Sequence, residues 1–296
     1  MAKEMISILP GSVSTGELHG YLLGAVGPRP IAFASTVDEK GRPNLSPFSF
    51  FNVFGSNPPI LIFSPARRVR DNTTKHTLQN VLLTKEVVIN IVNYDMVQQM
   101  SLSSTEYPKG TNEFEKSGLT MVKSDIVQPF RVGESPVQFE CKVTKVEALG
   151  RDGGAGNLIF SEVVKIHIDR AIVDVNGVID QRKIDQVARM GGNWYTRANK
   201  GMFEVPKPLS SIGMGVDALP NAIKNSTVLS GNDLGLLGNV EKIPSFDQVD
   251  EFLKEHSGYK GLNTEQLHKQ ARKFLEKGDV VTAWKILLIN ETNTVI

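Results

Sequence analysis

Cys141 is the only cysteine among 296 residues, which excludes an internal disulfide and a cysteine-based zinc site and suits a reducing compartment. Neither sign of charge is in excess: 33 basic and 32 acidic residues leave a formal net charge of +1, so neither nucleic acid nor a membrane surface is expected as a partner. Long hydrophobic runs are missing too, since stretches such as 87–92 are far too short to span a bilayer. The first residues lack the charged, apolar and small-residue sections of a signal peptide, so a cytoplasmic location is expected. Histidine occurs five times, at 19, 76, 167, 256 and 268, with no paired metal-ligand spacing, and no metal is expected. There is also no nucleophile and base constellation, which leaves hydrolysis and acyl transfer without support.

What is present is the 40% apolar content of an ordinary globular chain, long enough for one domain with an appendage. β-Branched and aromatic residues at 31–37 and 45–53 flank Asp38-Glu39-Lys40-Gly41 and predict a β-hairpin, with a third strand at 60–63. Asn72, Thr73 and Thr74 are candidate N-caps for a helix beginning near Lys75, and 86–92 returns to strand. Segments 137–149 and 158–168 make a second hairpin across a glycine-rich turn, with Cys141 expected to be buried in its first strand. Short strands at 171–175 and 178–179 would surround Asn176-Gly177. Six or more strands with few helices before residue 190 favour an antiparallel barrel or sandwich over a doubly wound sheet.

Pro206 and Pro208 predict a linker, dividing the chain into 1–205 and a mostly helical extension, 206–296. Helical signals fall at 246–256, 264–277 and 280–289. Leu267, Ala271, Phe274 and Leu275, then Val281, Trp284 and Leu288, form apolar stripes capped by Asn263 and Asp279, as for a helical pair packing on a neighbour. Gly213-Met214-Gly215 resembles a short dinucleotide pattern, but no strand precedes it in a βαβ unit, so it reads as a turn.

Segments 27–37, 44–52 and 57–64 together are rich in hydroxyls for a strand run. Pro47 removes a ladder donor, which puts its strand at an edge or bulge and leaves backbone groups free for a planar heterocycle. The same Ser46 and Ser49 hydroxyls would also serve an irregular edge strand that pairs only with itself. Ser64 ends the next strand and is followed by Arg67, Arg68 and Arg70, then by Lys75, His76 and Thr77 at the helix start. Unpaired N–H groups, a partial positive charge and basic side chains are the parts of a phosphate site, although a solvated loop balanced by Asp71 has the same composition.

Arg29-Pro30 leading a strand, Ser46-Pro47-Phe48-Ser49, Asn57-Pro58-Pro59 and Lys75-His76-Thr77-Leu78-Gln79-Asn80 together resemble the flavin reductase-like family. Segments 106–114, 134–141 and 189–195 resemble its flavoredoxin-type branch, so the likeness runs in order over roughly residues 20 to 200. The resemblance implies a mainly β protein with peripheral helices, an FMN-binding split β-barrel, and a homodimer with FMN near the subunit interface. It implies a ring held along Ser46, Pro47, Phe48, Ser49 and Asn52, and a phosphate near Ser64, Arg67, Lys75, His76 and Thr77. Phe33 takes a position that is often aromatic near the flavin, and Tyr195 that of a lid. NAD(P)H would then donate hydride to the flavin, and an electron acceptor would remove the electrons, with no catalytic side chain required. Two other readings stay open: an FMN electron carrier reduced by a partner protein, and a binding module whose tail recruits a partner.

Overall fold

The computed structural model describes residues 3–205 and 212–290, so Pro206 and Pro208 lie outside the described residues. The chain forms two compact units, Met1–Phe203 and Glu204–Ile296.

In the first unit, α1 (Thr15–Ala25) precedes β1 (Ala32–Val37), β2 (Pro43–Phe48), β3 (Phe51–Ser56) and β4 (Pro59–Phe63). Then follow α2 (His76–Thr84), β5 (Glu86–Ile91), α3 (Val97–Leu102), α4 (Glu113–Ser117) and the short pair β6 (Met121–Val122) and β7 (Arg131–Val132). The long strands β8 (Val137–Ala148) and β9 (Asn157–Ile168) come next, and β10 (Val187–Arg189) and β11 (Tyr195–Arg197) close the unit. The β1–β2 turn forms because Asp38 Oδ1 accepts the N–H groups of Lys40 and Arg42 while Gly41 takes φ +74°, a value that suits glycine.

Seven strands make one antiparallel sheet in the order β2-β1-β5-β8-β9-β4-β3. β2 and β3 are consecutive in the chain yet lie at opposite edges, with only Ser49 and Phe50 between them. That link reaches at most about 11 Å, whereas a flat seven-stranded sheet would be about 29 Å wide. The sheet must therefore curl until its edges approach, and because β2 and β3 are not paired, the barrel is split along that seam. The 45–53 segment expected as one strand is thus two. Aromatic residues continue across positions 48–51, but the backbone bends at Ser49 and Phe50 to change edges. Pro47 does lie on an edge strand, opposite Phe33.

β1 is buried on both faces. Ala32 and Ala34 join Phe63, Val87, Ile89, Cys141 and Ile159 in one core, while Phe33 joins Leu45, Met96, Met100 and Phe114 in another. The strands expected at 171–175 and 178–179 are instead a 3-10 turn, Arg170–Ile172, and a single bridge between Val173 and Ile179.

The second unit holds α5 (Asn221–Lys224), α6 (Gly231–Gly238), α7 (Phe246–Glu255), α8 (Thr264–Leu275) and α9 (Val280–Leu287). Asn263 and Asp279 cap α8 and α9 as expected. The apolar stripes do not form an isolated pair. Leu267, Ala271, Leu275 and Trp284 pack with Ile223, Leu237 and Phe252 in a core of the unit's own, and Trp284 Nε1 donates to Leu237 O at 3.2 Å. Val281, expected on the stripe, is exposed. No helix among the described residues is long and apolar enough to cross a membrane.

Candidate functional site

The first turn of α2 is the centre of the site. Lys75 is its N-cap residue and contributes no capping hydrogen bond from its side chain, and the Lys75 carbonyl accepts the Leu78 and Gln79 N–H groups, which leaves those of His76 and Thr77 as the groups an anion could meet. The expected caps Asn72, Thr73 and Thr74 are occupied elsewhere: Asn72 accepts from Arg67 Nε, Thr73 bonds to Asp71, and the Thr74 carbonyl accepts from Arg68. A cleft of about 30 Å³ opens at this helix end, lined by Asn44 and Ser46 of β2, Arg68, Lys75, His76 and Thr77. Segment 103–107 and Glu113 complete its wall.

Asn44 and Ser46 share a strand face through the two-residue period, which brings Asn44 into the site beside the expected Ser46. Asn44 Nδ2 donates to Thr77 Oγ1 at 3.0 Å and to Thr36 Oγ1 at 3.2 Å. Asn80 Nδ2 also donates to Thr36 Oγ1, at 3.0 Å, so a buried polar chain fixes the Thr77 hydroxyl. Arg68 makes three hydrogen bonds from two nitrogens, Nε donating to Glu106 Oε1 at 2.8 Å and Nη1 to Thr73 Oγ1 at 2.8 Å and Thr74 O at 2.9 Å.

The cleft gathers both basic and acidic groups. Burial, then the Arg68 charge, lowers the Lys75 pKa from its ordinary value. Burial together with Arg68, Lys109 and Lys75 lowers that of His76, so His76 is neutral at physiological pH and serves as a polar wall. Glu106 is driven the other way, to about 2, by hydrogen bonds from Arg68 and Arg70. Glu113, 6% exposed, accepts the Leu45 N–H at 3.1 Å, and burial raises its pKa.

Several expected residues lie outside this cleft. Ser64 Oγ accepts the Asn157 N–H at 3.0 Å, and Arg67 is committed to Asn72, so both brace the loop instead of lining the site. Gly153 explains how that bracing works: a Cβ there would stand 2.9 Å from Val69 O, so the β8–β9 turn packs directly on the backbone beneath the arginines. Phe33 is fully buried in the core, and Phe48 is 8% exposed and packs on Phe63 with ring centroids 5.4 Å apart. Neither side chain lines the cleft; Phe48 and Phe33 each belong to a hydrophobic core of the unit. Ser49 lies at the β2–β3 corner, and exposed Asn52 on β3 accepts the Val53 N–H with its own side chain. Tyr195 lies on the β10–β11 hairpin under the Arg189 guanidinium, 4.7 Å from its ring centroid, and lines a separate cavity with Tyr94 and Arg197.

The residues that sequence reasoning missed are Asn44, Glu106 and Glu113. Asn44 was legible from the strand period, whereas the two glutamates reach the cleft through tertiary contacts.

The split antiparallel barrel, with a polar cleft at the α2 N-terminus, sets the class of fold to which the chain belongs. The model for the flavin reductase like domain matches residues 25–187, and the chain belongs to that family. An uncharacterised protein of Aquifex aeolicus is 40% identical over 181 residues, covering 61% of this chain and 90% of its own. The crystal structure of nitrilotriacetate monooxygenase component B from Bacillus cereus is similar at TM-score 0.64 and 27% identity, covering 69% of this chain and 100% of that one. A flavin reductase-type split-barrel protein from Shewanella frigidimarina is similar at TM-score 0.57 and 26% identity, covering 67% of this chain and 95% of that one.

Proposed function

We propose that the first unit is an FMN-dependent oxidoreductase that takes hydride from NAD(P)H and passes electrons to an acceptor. The observation that carries this reading is the uncapped α2 N-terminus facing Lys75, Arg68 and the fixed Thr77 hydroxyl, which suits a terminal phosphate. Those groups, with the neutral His76 wall, would hold the phosphate. Ser46, Ser49 and the free backbone edge of β2 would hold the ring, with Asn52 beyond the corner. When bound, the flavin supplies the redox chemistry; the chain's residues bind and orient it.

Exposed apolar side chains on β3 (Val53, Phe54) and α1 (Tyr21, Leu22) support a homodimer, to be checked by light scattering at micromolar concentration. The functional test is anaerobic spectroscopy of the full chain titrated with FMN, FAD and riboflavin, then with NADH and NADPH. Flavin bleaching by a nicotinamide is expected. Failure to load FMN would refute the reading, and loading without bleaching would leave an electron carrier.

A further inference from the structure

Within the anion cleft one carboxylate stands where an anionic ligand would place its own charge. Glu106 Oε1 accepts from Arg68 Nε at 2.8 Å and lies 3.7 Å from Lys75 Nζ, and Glu106 also pairs with Arg70. Glu106 thus meets two cations that line the cleft, Arg68 and Lys75, and a third at its rim, Arg70. The three differ in their other anchors. Arg68 is tied to Thr73 and Thr74, and Arg70 is paired with Asp71 at 3.1 Å, whereas Glu106 is the one carboxylate paired with Lys75 among the described residues. Without a negative charge there, Arg68 and Lys75 would repel each other across the cleft; the Lys75 pKa is lowered first by burial and then by the Arg68 charge, and Glu106 acts to raise it.

We propose that Glu106 is a built-in counter-ion of the phosphate subsite, holding Arg68, Arg70 and Lys75 in place when no anion is bound and yielding them when a phosphate monoester enters. This rests on the phosphate reading above and adds its regulation: affinity is set by exchange of one anion for another. The cost of that exchange keeps phosphate binding weaker than the cations alone would make it. Glu106 is side-chain accessible, 38% exposed, so it can swing toward solvent without breaking the core.

Glu106→Gln removes the competing charge and keeps the shape. In the full-length protein, FMN affinity measured by fluorescence quenching is expected to rise about fivefold, with riboflavin unchanged. The inhibition constant of inorganic phosphate against FMN, obtained after allowing for the change in FMN affinity, should fall by a similar factor. Glu106→Asp keeps the charge on a shorter arm and should fall between wild type and Glu106→Gln. Circular dichroism melts verify that each variant is folded. Glu106→Gln binding FMN no tighter than wild type, or Glu106→Asp binding it more weakly, overturns the inference while leaving the phosphate site standing. Wild-type protein that binds FMN no better than riboflavin overturns the phosphate site itself, and the counter-ion role with it.

Discussion

Replacing Thr77 by Ala removes a hydroxyl that is 1% exposed and fixed by Asn44 at the α2 N-terminus. FMN affinity should fall about tenfold, the worth of one good hydrogen bond to a charged group, while riboflavin, which has no phosphate, should bind as before; fluorescence titration with both ligands reads the difference. Glu140 belongs to structure. Fully buried, it accepts the N–H groups of Asp125, Ile126 and Val127 and lies 2.6 Å from His167 Nε2. Burial works to raise its pKa, but those hydrogen bonds and His167 outweigh it and hold the carboxyl at about 2. Because the folded value lies below the unfolded one, its stabilisation is present above about pH 4.5 and fades as pH falls toward 2. Glu140→Gln should therefore cost about 3 kcal/mol at pH 7, with the gap in urea midpoints closing as the pH is lowered. Cys141 is buried with its thiol pushed up by burial, so it should resist thiol reagents in the native protein and react fully in guanidinium.

Among the elements, the β8–β9 turn and the 67–74 loop act as a pair. The Gly154 N–H donates to Arg67 O, the Arg67 N–H to Ala155 O, and Asn72 Nδ2 to Arg151 O. Gly153→Val would push on the backbone of Arg68 and Val69, and the expected result is weaker FMN binding from a displaced Arg68, with riboflavin binding retained. Most strands were legible because period-two patterning and Asp-Gly type turns report local geometry: the β1–β2 and β8–β9 hairpins lie where patterning put them. The break at Ser49 was not legible, since aromatic and β-branched residues run on both sides of it and only the demand of joining two sheet edges bends the chain there. The helix start was legible to within a few residues. Its cap was not, because Asn72, Thr73 and Thr74 satisfy a loop rather than a helix end. Ser46, Lys75, His76 and Thr77 converge as their segments suggested, while Ser64 and Arg67, close in sequence to the same cleft, spend their polar groups on bracing it.

For the whole molecule, the two units have separate cores, one set drawn from residues 31–187 and the other from 219–289. A chain ending at residue 205 is therefore expected to fold and to bind FMN within about twofold of the full chain, since Thr77, Lys75 and Arg68 all belong to the first unit. Loss of FMN binding on truncation would give the helical unit a part in the flavin site. The two-residue corner at Ser49 and Phe50 also has a consequence for synthesis. β3 and β4 can pair with each other as soon as they emerge, but Ile60 waits for Glu162 before β4 gains its second neighbour. At ribosomal speed that interval is about 5–20 s, during which the newborn chain carries an unfinished ring with open strand edges. Its vulnerability to misassembly is thus greatest on the ribosome, and it ends when the last long strand arrives.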